Sequence, residues 1–256
     1  MTVQNIKDIY TETEGMNSRV KKILGCLRKA VEDFNMIEDG DRIAVGVSGG
    51  KDSLILLKAL KLYQFMSPVK YELEAITLDM GFEDADWSRV KDFCKELGVP
   101  YTIKDTKIAT IVFDIRKEKN PCSLCAKLRR GALHNTALEL GCKKVALGHH
   151  REDVIETLFL SLFYEGRFNT FSPVTYLDRK DITLIRPLVY VPEPEIKKAV
   201  KRHNIPVVFN PCPANGETKR QYIKNLLLDI SKDVPNVQEQ ILGALKKTHV
   251  RKLWDN

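Results

Sequence analysis

Long apolar stretches are missing from this sequence. No run approaches the roughly 20 residues that a membrane-spanning helix requires. The segment from Met1 to Lys22 is polar and lacks the apolar core of a signal peptide. Internal repeats and low-complexity tracts are also missing. We therefore expect a cytoplasmic protein that has no contact with a membrane.

Cysteine is scarce, with six residues in a chain of 256. This number argues against a disulfide framework and leaves metal binding as one use for some of the thiols. Hydrophobic residues make up 43% and charged residues 29%, the balance of a globular protein with a sizeable core. The net charge of +7 is compatible with a polyanionic partner such as RNA but does not require one.

Short apolar strands alternate with helical patterns between residues 42 and 164. Such alternation indicates βαβ units and a parallel sheet, so the predicted class is α/β. One of these helices is predicted over residues 84–97, with Asp84 as its N-cap. Beyond residue 166 the pattern is mainly helical. We predict an N-terminal helical segment (1–36), a nucleotide-binding domain (37–166) and a helical C-terminal appendage (167–256).

The loop after the first predicted strand carries a phosphate-binding pattern, Ser48-Gly49-Gly50-Lys51-Asp52-Ser53. Its two glycines allow backbone N–H groups to converge on one point, and the following helix directs its positive end there. The loop is not a Walker loop, because Val45 and Asp52 stand where that pattern has Gly and Ser or Thr. Asp52 suggests a magnesium contact. The structural alternative is a tight strand-to-helix turn.

Three cysteines are candidate metal ligands. Cys122 and Cys125 are three positions apart at the start of a predicted helix, and Cys212 stands between two prolines. Three thiolates leave one iron of a cubane cluster open, whereas a fourth ligand would give a closed zinc site. Two inert thiols at a helix start are the structural alternative. The other three cysteines fit core positions better: Cys26, Cys94 and Cys142.

Further candidates lie near the carboxyl edge of the predicted sheet, where α/β proteins bind ligands. Gly148 and His149 follow the strand over 145–147, and Asp153 lies in the first turn of the next helix. Asp153 could assist magnesium binding or proton transfer, or it could only favour the helix N-terminus. Three basic residues after the cysteine pair could contact RNA phosphates or form a solvated face: Lys127, Arg129 and Arg130.

These motifs resemble those of two groups of proteins. The loop Ser48–Ser53 resembles that of the PP-loop ATP pyrophosphatase superfamily. Three further strings, together with that loop, resemble the TtcA family of tRNA 2-thiocytidine synthetases: residues 121–125 (PCSLC), 128–131 (LRRG) and 146–153 (ALGHHRED). The similarity runs from about Asp39 to about Lys232 and includes residues 185–188 (IRPL). It implies a PP-loop, adenine nucleotide α-hydrolase-like fold that is Rossmann-like, with a parallel sheet flanked by helices.

The family resemblance also implies a reaction. ATP and Mg²⁺ would bind at the loop with Leu78, Gly148 and His149 nearby, and Lys51, Asp52 and Asp153 would be catalytic. The reaction would be adenylation of a cytidine at its O2 atom, followed by sulfur transfer from a 4Fe–4S cluster. That cluster would be held by the thiols of Cys122, Cys125 and Cys212, and the appendage would supply a cluster ligand and tRNA contacts. The sequence departs from the family at Asn215, where a further cysteine is frequent.

The implied partners are tRNA, a sulfur donor such as a cysteine desulfurase or free sulfide, and a second copy of the chain in a homodimer. Three alternatives stay open at this point. One is ATP-dependent modification of another tRNA base. The second is lysidine-type ligation, which needs no cysteine cluster. The third is a non-catalytic RNA-binding metal or redox sensor.

Overall fold

The computed structural model describes residues 18–82, 85–116, 121–208, 212 and 219–247. Within these residues one sheet is formed by β1 (Asp41–Gly46), β2 (Tyr71–Asp79), β3 (Tyr101–Asp105), β4 (Lys144–Ala146), β5 (Val174–Leu177) and β6 (Ile182–Ile185). The strand order is β3-β2-β1-β4-β6-β5. All neighbouring pairs are parallel except β5 with β6, so β5 is an antiparallel edge strand.

The helices of the described residues are α1 (Ser18–Asp33), α2 (Lys51–Tyr63), α3 (Ser88–Glu96), α4 (Pro121–Glu139), α5 (Arg151–Glu165), α6 (Glu193–Arg202), α7 (Lys219–Asp233) and α8 (Val237–Lys247). A π-helical segment (Thr110–Ile115) and a 3₁₀ turn (Asp178–Lys180) complete the set. None of the helices found in these ranges has both the length and the apolar character needed to cross a membrane.

The central strand β1 faces a core on both sides. Ile43, Ala44 and Val45 are fully buried, the continuous apolar run that a central parallel strand requires. Successive side chains of a strand point to opposite faces. Ile43 and Val45 accordingly join the larger core, which also contains residues of α1, α2 and α6, while Ala44 joins a smaller core with Ala137 of α4. The predicted α/β class is confirmed, and the sheet lies between two layers of helices.

One predicted helix start is wrong. Helix α3 begins at Ser88 rather than at Asp84, which lies outside the described residues, and Trp87 occupies the N-cap position. The Asp86 carboxylate accepts hydrogen bonds from the backbone N–H of Ser88 at 2.9 Å and from its hydroxyl at 3.0 Å. An Asx-type turn therefore precedes the helix, and Asp86 takes the local role expected of Asp84.

The sheet continues past residue 166, because β5 and β6 pair with each other and β6 pairs with β4. The strictly helical part of the described chain begins with α6. The proposed limits of 1–36, 37–166 and 167–256 stay a prediction.

Candidate active site

The phosphate-binding loop joins the end of β1 to the start of α2. Gly49 has a φ of +75°, a conformation that favours glycine. A Cβ atom at Gly49 would lie 3.0 Å from side-chain atoms of both Trp87 and Val208. The backbone conformation and the surrounding space therefore both require glycine at this position.

Two serines hold the loop in shape. The Ser53 hydroxyl donates to the Gly50 carbonyl at 2.9 Å and accepts from the Ser48 N–H at 3.1 Å. The two hydroxyl oxygens are 3.2 Å apart. These contacts place Gly50 at the N-cap of α2 and turn the positive end of that helix toward the loop, which is a suitable place for a phosphate group.

Lys51 contacts two carboxylates. Its Nζ donates to Asp52 Oδ2 at 2.8 Å and lies 3.2 Å from Glu193 Oε1. Burial opposes the charge of this amine, but the hydrogen bonds and charges of Asp52 and Glu193 outweigh it and raise the pKa. The ammonium form is therefore kept at neutral pH, as phosphate binding requires.

Glu193 was missed by the sequence analysis. It is buried at the start of α6, where its carboxylate also pairs with Lys224 at 2.7 Å. Burial raises its pKa, but Lys224, Lys51 and Lys197 outweigh burial and lower the pKa to about 2. In the sequence an acidic residue beside prolines indicated only a helix start. Its contact with Lys51 spans 142 residues of sequence and has no local signal.

Asp52 offers an oxygen suited to a metal ion. Its Oδ1 is buried and has no hydrogen-bond partner among the described residues, while Nε2 of His150 lies 3.7 Å away. Buried carboxylate oxygens are normally paired, and Mg²⁺ prefers such oxygens. The unpaired oxygen therefore fits the predicted magnesium contact.

Gly148 permits a close approach between the loop after β4 and the first turn of α2. A Cβ atom at Gly148 would lie 3.0 Å from the Asp52 carbonyl carbon and 3.0 Å from the Ser53 nitrogen. Both are backbone atoms, which cannot rotate away as the end of a flexible side chain could. Gly148 therefore packs directly against the residues that form the phosphate loop, and its own contact with ATP stays a prediction.

His150 and Asp153 form a charged cluster at the start of α5. Asp153 Oδ2 accepts from the His150 backbone N–H at 2.9 Å and lies 3.5 Å from His150 Nε2. Burial disfavours the imidazolium, but the hydrogen bond of Glu152 and the charges of Asp153 and Asp52 outweigh it and raise the His150 pKa. Asp153 also lies 3.6 Å from Arg220. It therefore caps the helix and faces the site at the same time.

His149 lies in a different environment. Its ring centroid is 4.8 Å from that of Phe171, and its Nδ1 is buried without a hydrogen-bond partner in the described ranges. Burial lowers its pKa to about 4, although the Asp153 charge acts in the opposite direction. His149 is therefore neutral at pH 7, and its pKa is shifted in the opposite direction from that of His150.

Cys125 lies within electrostatic range of Cys122 and of Cys212, although Cys212 is about 90 residues away in sequence. Cys122 is exposed at the start of α4, and Cys125 and Cys212 are half-buried. Burial raises the pKa of Cys125, and the charges of Cys212 and Cys122 raise it further, while Arg129 opposes them. Such interactions act at short range, so the thiols share one neighbourhood. In the part of the chain described, no three His, Cys, Asp or Glu side chains are already arranged around one metal position.

The segment that leads to Cys212 is attached to the phosphate loop. The Val208 N–H donates to the Gly49 carbonyl at 3.0 Å, four residues before Cys212. On the other side of Gly49, Trp87 donates from Nε1 to Asp79 Oδ2 at 2.9 Å. The loop, the end of β2 and the approach to the cysteine site are thus connected by direct contacts.

The remaining residues predicted for the site lie on β2 and α4. Leu78 is half-buried at the carboxyl end of β2, as expected for a residue near a nucleotide. Lys127, Arg129 and Arg130 are exposed on α4, and the charge of Arg129 acts to lower the pKa of Cys125. Their contact with tRNA stays a prediction.

Comparisons with known proteins agree with this geometry. A family model described as a PP-loop domain matches residues 17–230. The tRNA-cytidine(32) 2-sulfurtransferase of Geobacter sulfurreducens is 41% identical over 242 residues, covering 93% of this chain and 94% of that protein. The protein of the same name from Neisseria meningitidis is 38% identical over 242 residues, covering 94% of this chain and 76% of its own.

A solved structure shares the fold. It is the U34-tRNA thiolase NcsA from Methanococcus maripaludis with its 4Fe–4S cluster, at a TM-score of 0.73 and 24% identity. The match covers 90% of this chain and 78% of that one. At this identity the likeness supports the architecture alone.

Proposed function

The chain belongs to the PP-loop family and, within it, to the tRNA-cytidine 2-sulfurtransferases, and from this premise we propose that it uses ATP to thiolate cytidine 32 of tRNA. The product is 2-thiocytidine, and ATP is converted to AMP and pyrophosphate. The catalytic residues proposed are Lys51, Asp52 and Asp153.

One observation supports the proposal: Val208, four residues before Cys212, bonds to Gly49 in the phosphate loop. Cys212 and Cys122 both act electrostatically on Cys125, as expected if the loop and the thiols serve one site. A ligase that attaches an amine to an adenylated base needs the loop but has no use for three converging thiols. Sulfur transfer needs both.

The first step is adenylation. The N-terminus of α2 and the Lys51 ammonium hold the β- and γ-phosphates of ATP, and Asp52 Oδ1 contributes to binding of Mg²⁺. The cytosine O2 atom attacks the α-phosphate, pyrophosphate leaves, and the C2 position acquires AMP as a leaving group. Preorganised charges around a phosphate of this kind lower the barrier without reorganising during the reaction.

The second step needs sulfur at C2 of the base. A 4Fe–4S cluster on three thiolates leaves one iron open to carry an exogenous sulfur atom. The cysteine site fits this group, because it offers three thiols and because the Arg129 charge opposes the burial that raises the pKa of Cys125. The proposed ligands are Cys122, Cys125 and Cys212.

Nucleoside analysis tests the function. Bulk tRNA from cells that lack this protein should lose 2-thiocytidine and keep its other modified nucleosides, as measured by mass spectrometry. The wild-type gene should restore the nucleoside, and a gene encoding Lys51→Ala should not. Unchanged 2-thiocytidine, or loss of lysidine instead, would contradict the proposal.

The remaining partners follow from the same reaction. We propose a cytoplasmic location, where tRNA is available, and a sulfur donor such as a cysteine desulfurase or free sulfide. Lys127, Arg129 and Arg130 are proposed contacts for tRNA phosphates, since they are exposed beside the cysteine site. A homodimer is proposed from the family resemblance.

A further inference from the structure

Within the described ranges, Arg186 is a buried cation without an acidic partner. It follows β6 directly, and only 7% of its surface is exposed. Its Nη1 donates to the Ser172 carbonyl at 2.6 Å and to the Thr175 hydroxyl at 3.1 Å. Its Nε has no hydrogen-bond partner among the described residues, and within those ranges no carboxylate forms an ion pair with it.

Such an arrangement is unfavourable on its own. Buried charges are normally paired, because removing an ion from water costs on the order of several kcal/mol. Burial lowers the pKa of Arg186 to about 10, so the guanidinium is still charged at neutral pH. Two neutral acceptors do not balance that charge. An anion from outside the chain would.

A second unpaired nitrogen lies nearby. The Arg186 guanidinium carbon is 5.0 Å from the centroid of the Phe171 ring, and the His149 ring contacts the same phenyl group at 4.8 Å. Nδ1 of His149 is also buried without a partner in the described chain. The Arg186 charge acts on His149 and disfavours its protonation, which confirms that the two groups are close.

The strand order places Arg186 near the strand that carries the phosphate loop. Strand β6 neighbours β4, and β4 neighbours β1. At roughly 4.8 Å per strand, Arg186 lies about 10 Å across the sheet from the end of the strand that carries the phosphate loop. His149 follows β4, between the two. Both side chains therefore belong to the carboxyl edge of the sheet, where ligands of α/β proteins bind.

We propose that Arg186 and His149 form a second phosphate-binding subsite, separate from the phosphate loop. Its ligand is a phosphoryl group, either the α-phosphate of the nucleotide or a phosphodiester of the RNA beside the modified base. The inference rests on the proposed function for the identity of these ligands. The guanidinium supplies the charge and donors, and neutral His149 supplies its one N–H donor.

A purely structural role is the competing explanation, since Arg186 also joins the segment before β5 to β6. Two variants separate the roles. Arg186→Gln removes the charge, and Thr175→Ala removes one of the joining hydrogen bonds and leaves the charge. A third variant, Arg186→Lys, restores a cation without the planar guanidinium. His149→Gln tests the second group if Arg186→Gln does not fold.

The experiment measures two affinities for each folded variant, with ATP–Mg²⁺ and with an unmodified tRNA transcript as probes. We expect Arg186→Gln to weaken one of them at least tenfold, Arg186→Lys to weaken it less and Thr175→Ala to leave it unchanged. Weaker ATP binding assigns the α-phosphate. Weaker tRNA binding, with a salt dependence reduced by about one phosphate contact, assigns the RNA backbone.

Two results would overturn the subsite. One is unchanged affinity of Arg186→Gln for both probes, and the other is an equal loss in Thr175→Ala. Failure of the proposed function is distinguishable, because it would leave wild-type protein without thiolation while the dependence of binding on Arg186 persisted.

Discussion

The phosphate loop and the three candidate cysteines are held in different ways. The loop is fixed by contacts within the protein: Ser53 bonds its backbone, Gly148 packs on it, and Val208 bonds to it. Among the cysteines, Cys122 is exposed and the other two are half-buried, and the charges of Arg129, Cys212 and Cys122 all act on Cys125.

Because of this difference, we expect the two sites to respond differently to mutation. A preformed loop depends on steric fit, so a small change in volume beside it should disturb both activity and stability. Thiols that serve as ligands contribute little packing, so their removal should abolish chemistry and leave the fold intact. The following predictions test this contrast.

The largest effect is expected at the cysteine site. Changing Cys122, Cys125 or Cys212 to Ala should abolish thiolation and remove most of the iron from anaerobically purified protein, which should hold about four irons per chain. Cys26→Ala is the matched control, because Cys26 is also half-buried but lies on α1, and it should change neither quantity. Near-stoichiometric zinc with no iron absorbance would contradict the cluster assignment.

The loop charges should have the next largest effect. Lys51→Ala and Asp52→Asn should each lower the rate of pyrophosphate release by about 10²–10³, the usual cost of removing one group that stabilises a transition state. Thermal unfolding should change little. Lys58→Ala, on the same helix two turns away, controls for loss of a lysine. Wild-type rates in both loop variants would remove the loop from the reaction.

Gly148→Ala tests the steric fit. The added methyl group would meet backbone atoms at 3.0 Å, so we expect a loss of about 1–3 kcal/mol in the free energy of unfolding together with slower pyrophosphate release. Gly25→Ala on α1 is the control, because a Cβ there meets nothing within 4 Å and alanine favours a helix. Equal stability of the two variants in urea unfolding would show that the approach of Gly148 to α2 is not tight.

His149 should have the smallest effect on stability, and only in acid. The pKa of His149 is about 4 in the folded protein and 6.5 for the unperturbed side chain of the unfolded chain. As the pH falls, the unfolded chain therefore binds the proton in preference to the folded protein. The stability contributed by neutral His149 is complete above pH 6.5 and is lost toward pH 4. By pH 5 the loss should be about 1–2 kcal/mol. His149→Gln should remove that part of the pH dependence, and identical pH profiles would refute the burial of this imidazole.

The sequence predicted the fold from its periodicity, because buried parallel strands such as β1 are continuous apolar runs. It also predicted the loop, whose function depends on consecutive residues. The predicted start of α3 at Asp84 was wrong, because Asp86 supplies the carboxylate that accepts from Ser88 at the helix start. Glu193 and Val208 gave no signal of their own, since each acts through contacts with residues far away in the chain. Arg186 belongs to a string that resembles the family, but its burial away from any carboxylate of the described residues is visible only in the fold.

We propose that the phosphate loop and the three cysteines serve one reaction in sequence. Anaerobically reconstituted protein, supplied with ATP, Mg²⁺, sulfide and unmodified tRNA, allows AMP and 2-thiocytidine to be measured in the same sample. Wild-type protein should form both, Lys51→Ala neither, and Cys212→Ala AMP without 2-thiocytidine. Formation of 2-thiocytidine by Cys212→Ala, or by wild-type protein without ATP, would contradict the claim.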